Sequence, residues 1–202
     1  MLLFVGLGNP TPNSHNNRHN IGFKVIEAIN QKFGLSKQKP KFKGLLTTGN
    51  IGEEKIYAIK PLTFMNNSGI CIRELLEYFK IDSKNVIVFH DDLDIEFGKI
   101  KAKFGGSSAG HNGIGSIDKF IGKDYSRVRI GIGKPDSKIS VSDYVLNDFN
   151  EERVVQRVTV MGDKPEGSSP KWEPFVQSGH DTDKSRYDDL LLECLNRKKA
   201  KA

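Results

Sequence analysis

The chain has 202 residues, 37% of them apolar, and carries a formal net charge of +6. That length suits one domain with a real core, and no apolar run reaches the roughly 18 residues that a membrane-spanning helix needs. Cys71 and Cys194 are the only cysteines, which excludes a disulfide framework and a thiolate zinc site. They read as free thiols in a reducing cytoplasm. "MLLFVGLG" has neither a basic leader nor a small-residue cleavage pattern, so it is not expected to be a signal peptide.

In chain order, "LLFVGLG" reads as a buried strand ended by glycine. Residues 20–34 read as a helix, with Ile21, Val25, Ile29 and Phe33 at spacing four and Gly34 as the stop. "KQKPKFK" (37–43) reads as a solvated, proline-broken loop rather than an RNA-binding arm. "GLLTTGNI" and "KIYAIK" form a predicted hairpin. Residues 66–80 form a second predicted helix, with Ile72, Leu75, Leu76 and Phe79 on one face. "NVIVFHDD" is another buried strand, ending in two aspartates. "KIKAKF" alternates as a half-exposed strand does. "GGSSAGHNG" is a flexible turn leading into a short helix (113–121), and "RVRIGIG" is a further strand. Strands alternating with helices predict a three-layer α/β single domain. The hairpin and the alternating strand predict a mixed sheet rather than a purely parallel one. Residues 1–160 are assigned to this domain and 161–202 to a C-terminal tail, partly helical or disordered, because "MGDKPEGSSPKWEPFVQSGHDTD" interrupts the helix begun by "EERVVQRV".

The charge is unevenly placed. Residues 1–150 carry 21 Lys and Arg against 15 Asp and Glu, whereas residues 151–202 carry ten of each. A basic folded domain points to an anionic partner, often nucleic acid, although a merely soluble basic protein would show the same excess.

Between residues 6 and 23, "GLGNPTPNSHNNRHNIGF" packs five asparagines and two histidines after the first strand. Asparagine is poor in strands and in helix interiors and favours turns and caps. "GLGNP", "TFMNNSG", "FHDD" and "GHNG" each follow a strand or open a helix, where sites form in open α/β sheets. His19 is a candidate general base. Asp91, at the end of a buried strand, is a candidate to hold that imidazole in one tautomer. Asn9, Asn66 and Asn112 supply neutral donors and acceptors for a peptide backbone or a developing oxyanion. No serine sits in a nucleophile elbow, so water is the expected attacker. This set fits hydrolysis of an ester or amide attached to a peptide. Taken singly, each Asn or His also fits a helix cap.

"GLGNP…RHNIGF", "KPLTFMNNSG", "VFHDDLD", "GHNG" and "RVRIGIG", in that order over about residues 1–152, resemble the bacterial peptidyl-tRNA hydrolase family. The resemblance implies a twisted mixed β-sheet flanked by helices. It also implies a cytoplasmic, usually monomeric enzyme that cleaves the ester between peptide and tRNA without metal or cofactor. It places the catalytic base at His19 and the residue that orients it at Asp91. It places substrate contacts at Asn9, Met65, Asn66 and Asn112, and a grip on the tRNA 5′ phosphate at Lys103 and Arg129. Where the family has a tyrosine in the loop at the cleft entrance, this chain has Ser14. Thr11, Asn17, Ser107, Ser108 and Ala109 also depart from the family pattern. His90 and His111 are expected to matter less than His19. Two other readings stay open on the sequence: an esterase or amidase without an RNA partner, and a catalytically silent RNA-binding relative.

Overall fold

The first apolar run becomes the middle of a sheet because both of its faces are covered. In the computed structural model, which describes residues 1–135 and 138–149, the elements in chain order are β1 (Leu2–Gly6), α1 (Ile21–Lys32), β2 (Lys39–Lys41), β3 (Gly44–Ile51), β4 (Glu54–Pro61), α2 (Ser68–Phe79), β5 (Val86–Asp92), β6 (Ile100–Phe104), α3 (Asn112–Ile121), β7 (Ser126–Gly131) and α4 (Val141–Leu146). The strands make one seven-stranded sheet in the order β2-β3-β4-β1-β5-β7-β6. β1 pairs in parallel with β4 and β5, and β5 with β7. β2, β3 and β6 run antiparallel to their neighbours. The mixed sheet is therefore parallel in its centre, where strands read as continuous apolar runs. Among the described residues, no helix is long and apolar enough to cross a membrane.

Helices cover both faces. Leu3, Val5 and Leu7 pack with Ile72, Leu75 and Leu76 of α2 and Ile114 and Ile117 of α3 in one cluster. The other face takes α1 at very close range. A Cβ on Gly6 would lie 2.2 Å from the Gly22 carbonyl oxygen, and one on Gly22 would lie 2.4 Å from both Leu7 N and Phe89 O. Two glycines thus let the start of α1 press directly on the ends of β1 and β5.

The structure departs from the sequence reading at four places. Residues 39–41 of the expected loop form the edge strand β2. Pro40 is tolerated there because an edge strand leaves one side unpaired. The β2–β3 turn places Phe42 and Lys43 at φ 53° and 54°, left-handed values that non-glycine residues rarely adopt. Phe42 packs there against Tyr78 and Phe79, with ring centroids at 5.1 and 5.6 Å. The first two predicted helices begin later as α-helix, each preceded by a tight 3₁₀ turn, Arg18–Asn20 and Met65–Asn67. α4 leaves no mark in the sequence pattern, because six residues are too few to show a helical period. Ser140 caps it by accepting a bond from Asp143 N. The proposed boundary at residue 160, the tail and Cys194 lie outside the described residues.

β7 carries a buried charge network. Arg127 is 1% exposed. Its Nη2 donates to Asp118 Oδ1 of α3 at 2.7 Å, and its Nη1 donates to Ser107 O at 2.9 Å. Tyr125 Oη donates to the same Asp118 oxygen at 2.7 Å. One guanidinium therefore ties α3, β7 and the turn before α3 together. Removing one partner of a buried pair leaves an uncompensated charge, at a cost of roughly 3–5 kcal/mol. Arg127→Ala is expected to lose about that much in urea denaturation at neutral pH. A loss below about 1 kcal/mol, the scale of a surface pair, would refute this account.

Candidate active site

The turns that leave the C-terminal ends of β1, β4 and β5 converge with the start of α3 on a cavity of about 720 Å³. His19 sits in the 3₁₀ turn Arg18–Asn20, and its two neighbours fix that turn. Arg18 is buried, and its Nη1 donates to Tyr144 O at 3.1 Å and Asn147 O at 3.0 Å. Its guanidinium lies 4.3 Å from the centre of the Tyr144 ring. Asn20 closes a two-way bond on Asn9: its Oδ1 accepts from Asn9 N at 2.8 Å and its Nδ2 donates to Asn9 O at 2.9 Å. Asn9 Oδ1 then accepts from Met65 N at 3.0 Å. That bond orients the Asn9 amide so that its NH₂ group is left for the cavity the residue lines.

Asp91, 2% exposed at the end of β5, is where the elements meet. His19 Nδ1 lies 2.9 and 3.0 Å from its two carboxylate oxygens. His111 Nε2 lies 3.0 Å from Oδ1. Burial alone would favour the neutral acid. The charges and hydrogen bonds of His111 and His19 outweigh it and hold the carboxyl well below its usual range. An ionised Asp91 that accepts from Nδ1–H leaves Nε2 of His19 as the basic atom. The neighbouring His90 donates from Nδ1 to Asp91 O at 2.7 Å. Its buried Nε2 has no partner among the described residues. Burial, then the charge of His111, keeps this ring well below its ordinary pKa.

The rest of the cavity is graded. Met65 is buried in its floor, and Asn66 and Asn112 stand exposed on its rim. Gly113 leaves room beside them: a Cβ there would lie 2.5 Å from Met65 Sδ and 2.8 Å from Leu7 Cδ1, so those side chains would have to shift. One wall is apolar, built by Val141, Val145 and Leu146 of α4, with Phe64 58% exposed at the mouth. Cys71 is buried on α2, and burial pushes its thiol up to about 12, so it offers no thiolate at neutral pH.

The structure thus brings together His19, Asp91, Asn9, Met65, Asn66 and Asn112. Ser14 does not line the cavity: it is buried in the 3₁₀ turn Pro12–Ser14, with its hydroxyl against that of Thr11. Lys103 and Arg129 also lie off the cavity, on the sheet face they share with Arg127. Arg129 Nε donates to Asp92 Oδ2 at 2.6 Å. Lys103 is half-buried, and partial burial, then the charges of Arg129 and Arg127, lowers its pKa. His111, expected to matter less than His19, also contacts Asp91 directly. The histidine of "GHNG" was visible in the motif, but no spacing rule points its ring at a strand end. Among the described residues, His19, Asp91 and His111 present three metal-capable atoms within 4.8 Å of one another. Here those atoms are committed to the hydrogen bonds above.

Comparison with known proteins identifies the family. The family model for peptidyl-tRNA hydrolase matches residues 3–170. The chain is similar to a peptidyl-tRNA hydrolase of Pelagibacter ubique, 80% identical over 156 residues that cover 77% of this chain and 84% of the relative. One from Wolbachia is 49% identical over 150 residues, 74% of this chain and 82% of the relative. The crystal structure of peptidyl-tRNA hydrolase from Acinetobacter baumannii superposes with a TM-score of 0.72 at 37% identity, over 80% of this chain and 83% of that one.

His90 gives the site a pH signature. The folded protein keeps its ring neutral, while an unfolded chain takes up the proton near pH ~6.5. Its contribution to stability is therefore complete above that pH and is lost as pH falls, with a slope of up to about 1.4 kcal/mol per pH unit. His90→Asn is expected to flatten the decline in denaturation free energy on the acid side of pH ~6.5. An unchanged slope would assign the decline to other groups.

Proposed function

The chain belongs to the peptidyl-tRNA hydrolase family and is a peptidyl-tRNA hydrolase; on that premise we propose that a water molecule, activated by His19 held by Asp91, cleaves the ester between the peptide and the tRNA. The observation that carries this reading is the double contact of Asp91 with His19 Nδ1. It leaves Nε2 to take a proton from water. The hydroxide adds to the ester carbonyl, and the amide groups of Asn9, Asn66 and Asn112 stabilise the oxyanion and hold the peptide. Collapse expels the ribose oxygen, which takes the proton back from His19. The products are a free peptide acid and tRNA. No step calls for a cofactor, and the enzyme works as a cytoplasmic monomer.

Lys103 and Arg129 take the other end of the substrate. They stand outside the cavity in the part of the chain that holds the charge excess. Asp92 ties Arg129 by Nε, so the remaining guanidinium edge is what a phosphate would meet. A fork of donors beside a point charge suits that anion. The departures at Thr11, Ser14 and Asn17 lie in the segment that leads into the turn carrying His19, and they alter contacts rather than the chemistry.

Two measurements test the reading. The protein is expected to release the N-acyl amino acid from N-acyl-aminoacyl-tRNA and to leave aminoacyl-tRNA with a free amine largely intact. The amide groups of Asn9, Asn66 and Asn112 can hydrogen-bond the acyl carbonyl, a group that a free amine lacks. His19→Ala should lower kcat about 10²–10⁴-fold with an unchanged circular dichroism spectrum. Asp91→Asn should lower it too, by spoiling the tautomer. Near-normal turnover in His19→Ala would transfer the role of base to another group.

The phosphate grip predicts a different pattern. Lys103→Ala and Arg129→Ala should raise KM for full peptidyl-tRNA and weaken its salt dependence. Both should leave kcat on a peptide attached to a short 3′ fragment nearly unchanged. Equal losses on both substrates would mean that these cations serve the fold or the chemistry instead.

A further inference from the structure

His111 makes two contacts that together fix where its proton sits. It is the N-cap of α3, and its Nδ1 accepts from Ile114 N at 3.3 Å. Its Nε2 lies 3.0 Å from Asp91 Oδ1, and the side chain is only 9% exposed. A backbone N–H can only donate, so Nδ1 must present its lone pair. The proton of the neutral ring is then on Nε2, aimed at the carboxylate. A cap alone would not require this residue. Asparagine caps a helix well, but asparagine has no second nitrogen in line with the strand end.

We infer that His111 is a positioning residue of the hydrolase: in the tautomer dictated by the helix cap, it holds Asp91 from the α3 side and sets how the carboxylate meets His19. The inference rests on the reading of His19 as the base and Asp91 as its partner. His19 approaches Asp91 from the Arg18–Asn20 turn, and its ring lies 4.9 Å from that of His111. His90 flanks His111 from β5 at 4.8 Å. Arg127 of β7 adds a further charge that acts on His90. Within this group, the N–H of His111 takes part of the charge of Asp91. Without it, more of that charge stabilises the His19 imidazolium, so the base gains its proton at higher pH.

The test uses the full-length protein with N-acyl-aminoacyl-tRNA and compares the pH dependence of kcat/KM in wild type, His111→Asn, His111→Ala and His19→Ala. Asparagine restores the cap without the contact to Asp91. His111→Asn is expected to fold, with a wild-type circular dichroism spectrum, and to melt at a lower temperature because Asp91 loses one of its two partners. Its kcat should fall about ten- to a hundredfold, the range for outer partners of a site residue, and its acid limb should move to higher pH. A wild-type rate and limb in His111→Asn would reduce His111 to a cap. A lower rate with an unmoved limb would show action through the helix rather than through Asp91, and either result overturns the inference. Should the variants fail to fold, nitrogen-15 imidazole spectra of the wild type decide: a proton on Nε2 of His111 supports the inference, and one on Nδ1 overturns it. Near-normal turnover in His19→Ala would overturn the reading of the base and this inference with it. The His111 outcomes alone leave that reading standing.

Discussion

A charged carboxylate at the end of a buried strand has to be answered from the elements around it. Asp91 is that constraint. Water does not solvate it, so its oxygens are met by N–H groups of two imidazoles carried on different elements, one on the turn before α1 and one on the turn before α3. Satisfying one buried charge thus fixes the relative placement of two turns that are 92 residues apart along the chain, from His19 to His111. Leaving such a charge half satisfied costs several kcal/mol, which makes the arrangement of the site part of the stability of the fold.

The approach of those turns depends on features that carry no chemistry of their own. Gly6 and Gly22 let α1 begin in contact with the strand ends. Asn20 spends its whole side chain on the backbone of Asn9. Arg127 fastens the turn before α3 from below, through Ser107 and Asp118. A preorganised site needs such support, because groups that react must be held before the substrate arrives.

The centre of the fold was legible because burial on both faces writes a simple signal. β1 and β5 are apolar runs that end in glycine or aspartate, and α1 and α2 carry apolar residues at helical spacing. The Asn, His and Asp clusters at their ends marked the site for the same reason: such residues are poor choices inside strands. Other features depended on partners far along the chain. Arg127 and Arg129 sit two residues apart on one face of one strand. Only the position of Asp118 on α3 decides that the first is buried and structural. Ser14 reads as part of a loop at an entrance, yet it packs into its own turn. The pairing of His111 with Asp91 follows from a tautomer, which no spacing rule encodes.

Arg18 has an implication for how this cleft can change. Its guanidinium is gripped by carbonyls at the end of α4, while its own backbone is the first residue of the turn bearing His19. The wall that would face the peptide and the base that would activate the water are therefore one mechanical piece. Substitutions that widen or narrow the groove through α4 would also re-aim the imidazole, so peptide preference and turnover in this protein would be expected to drift together rather than independently.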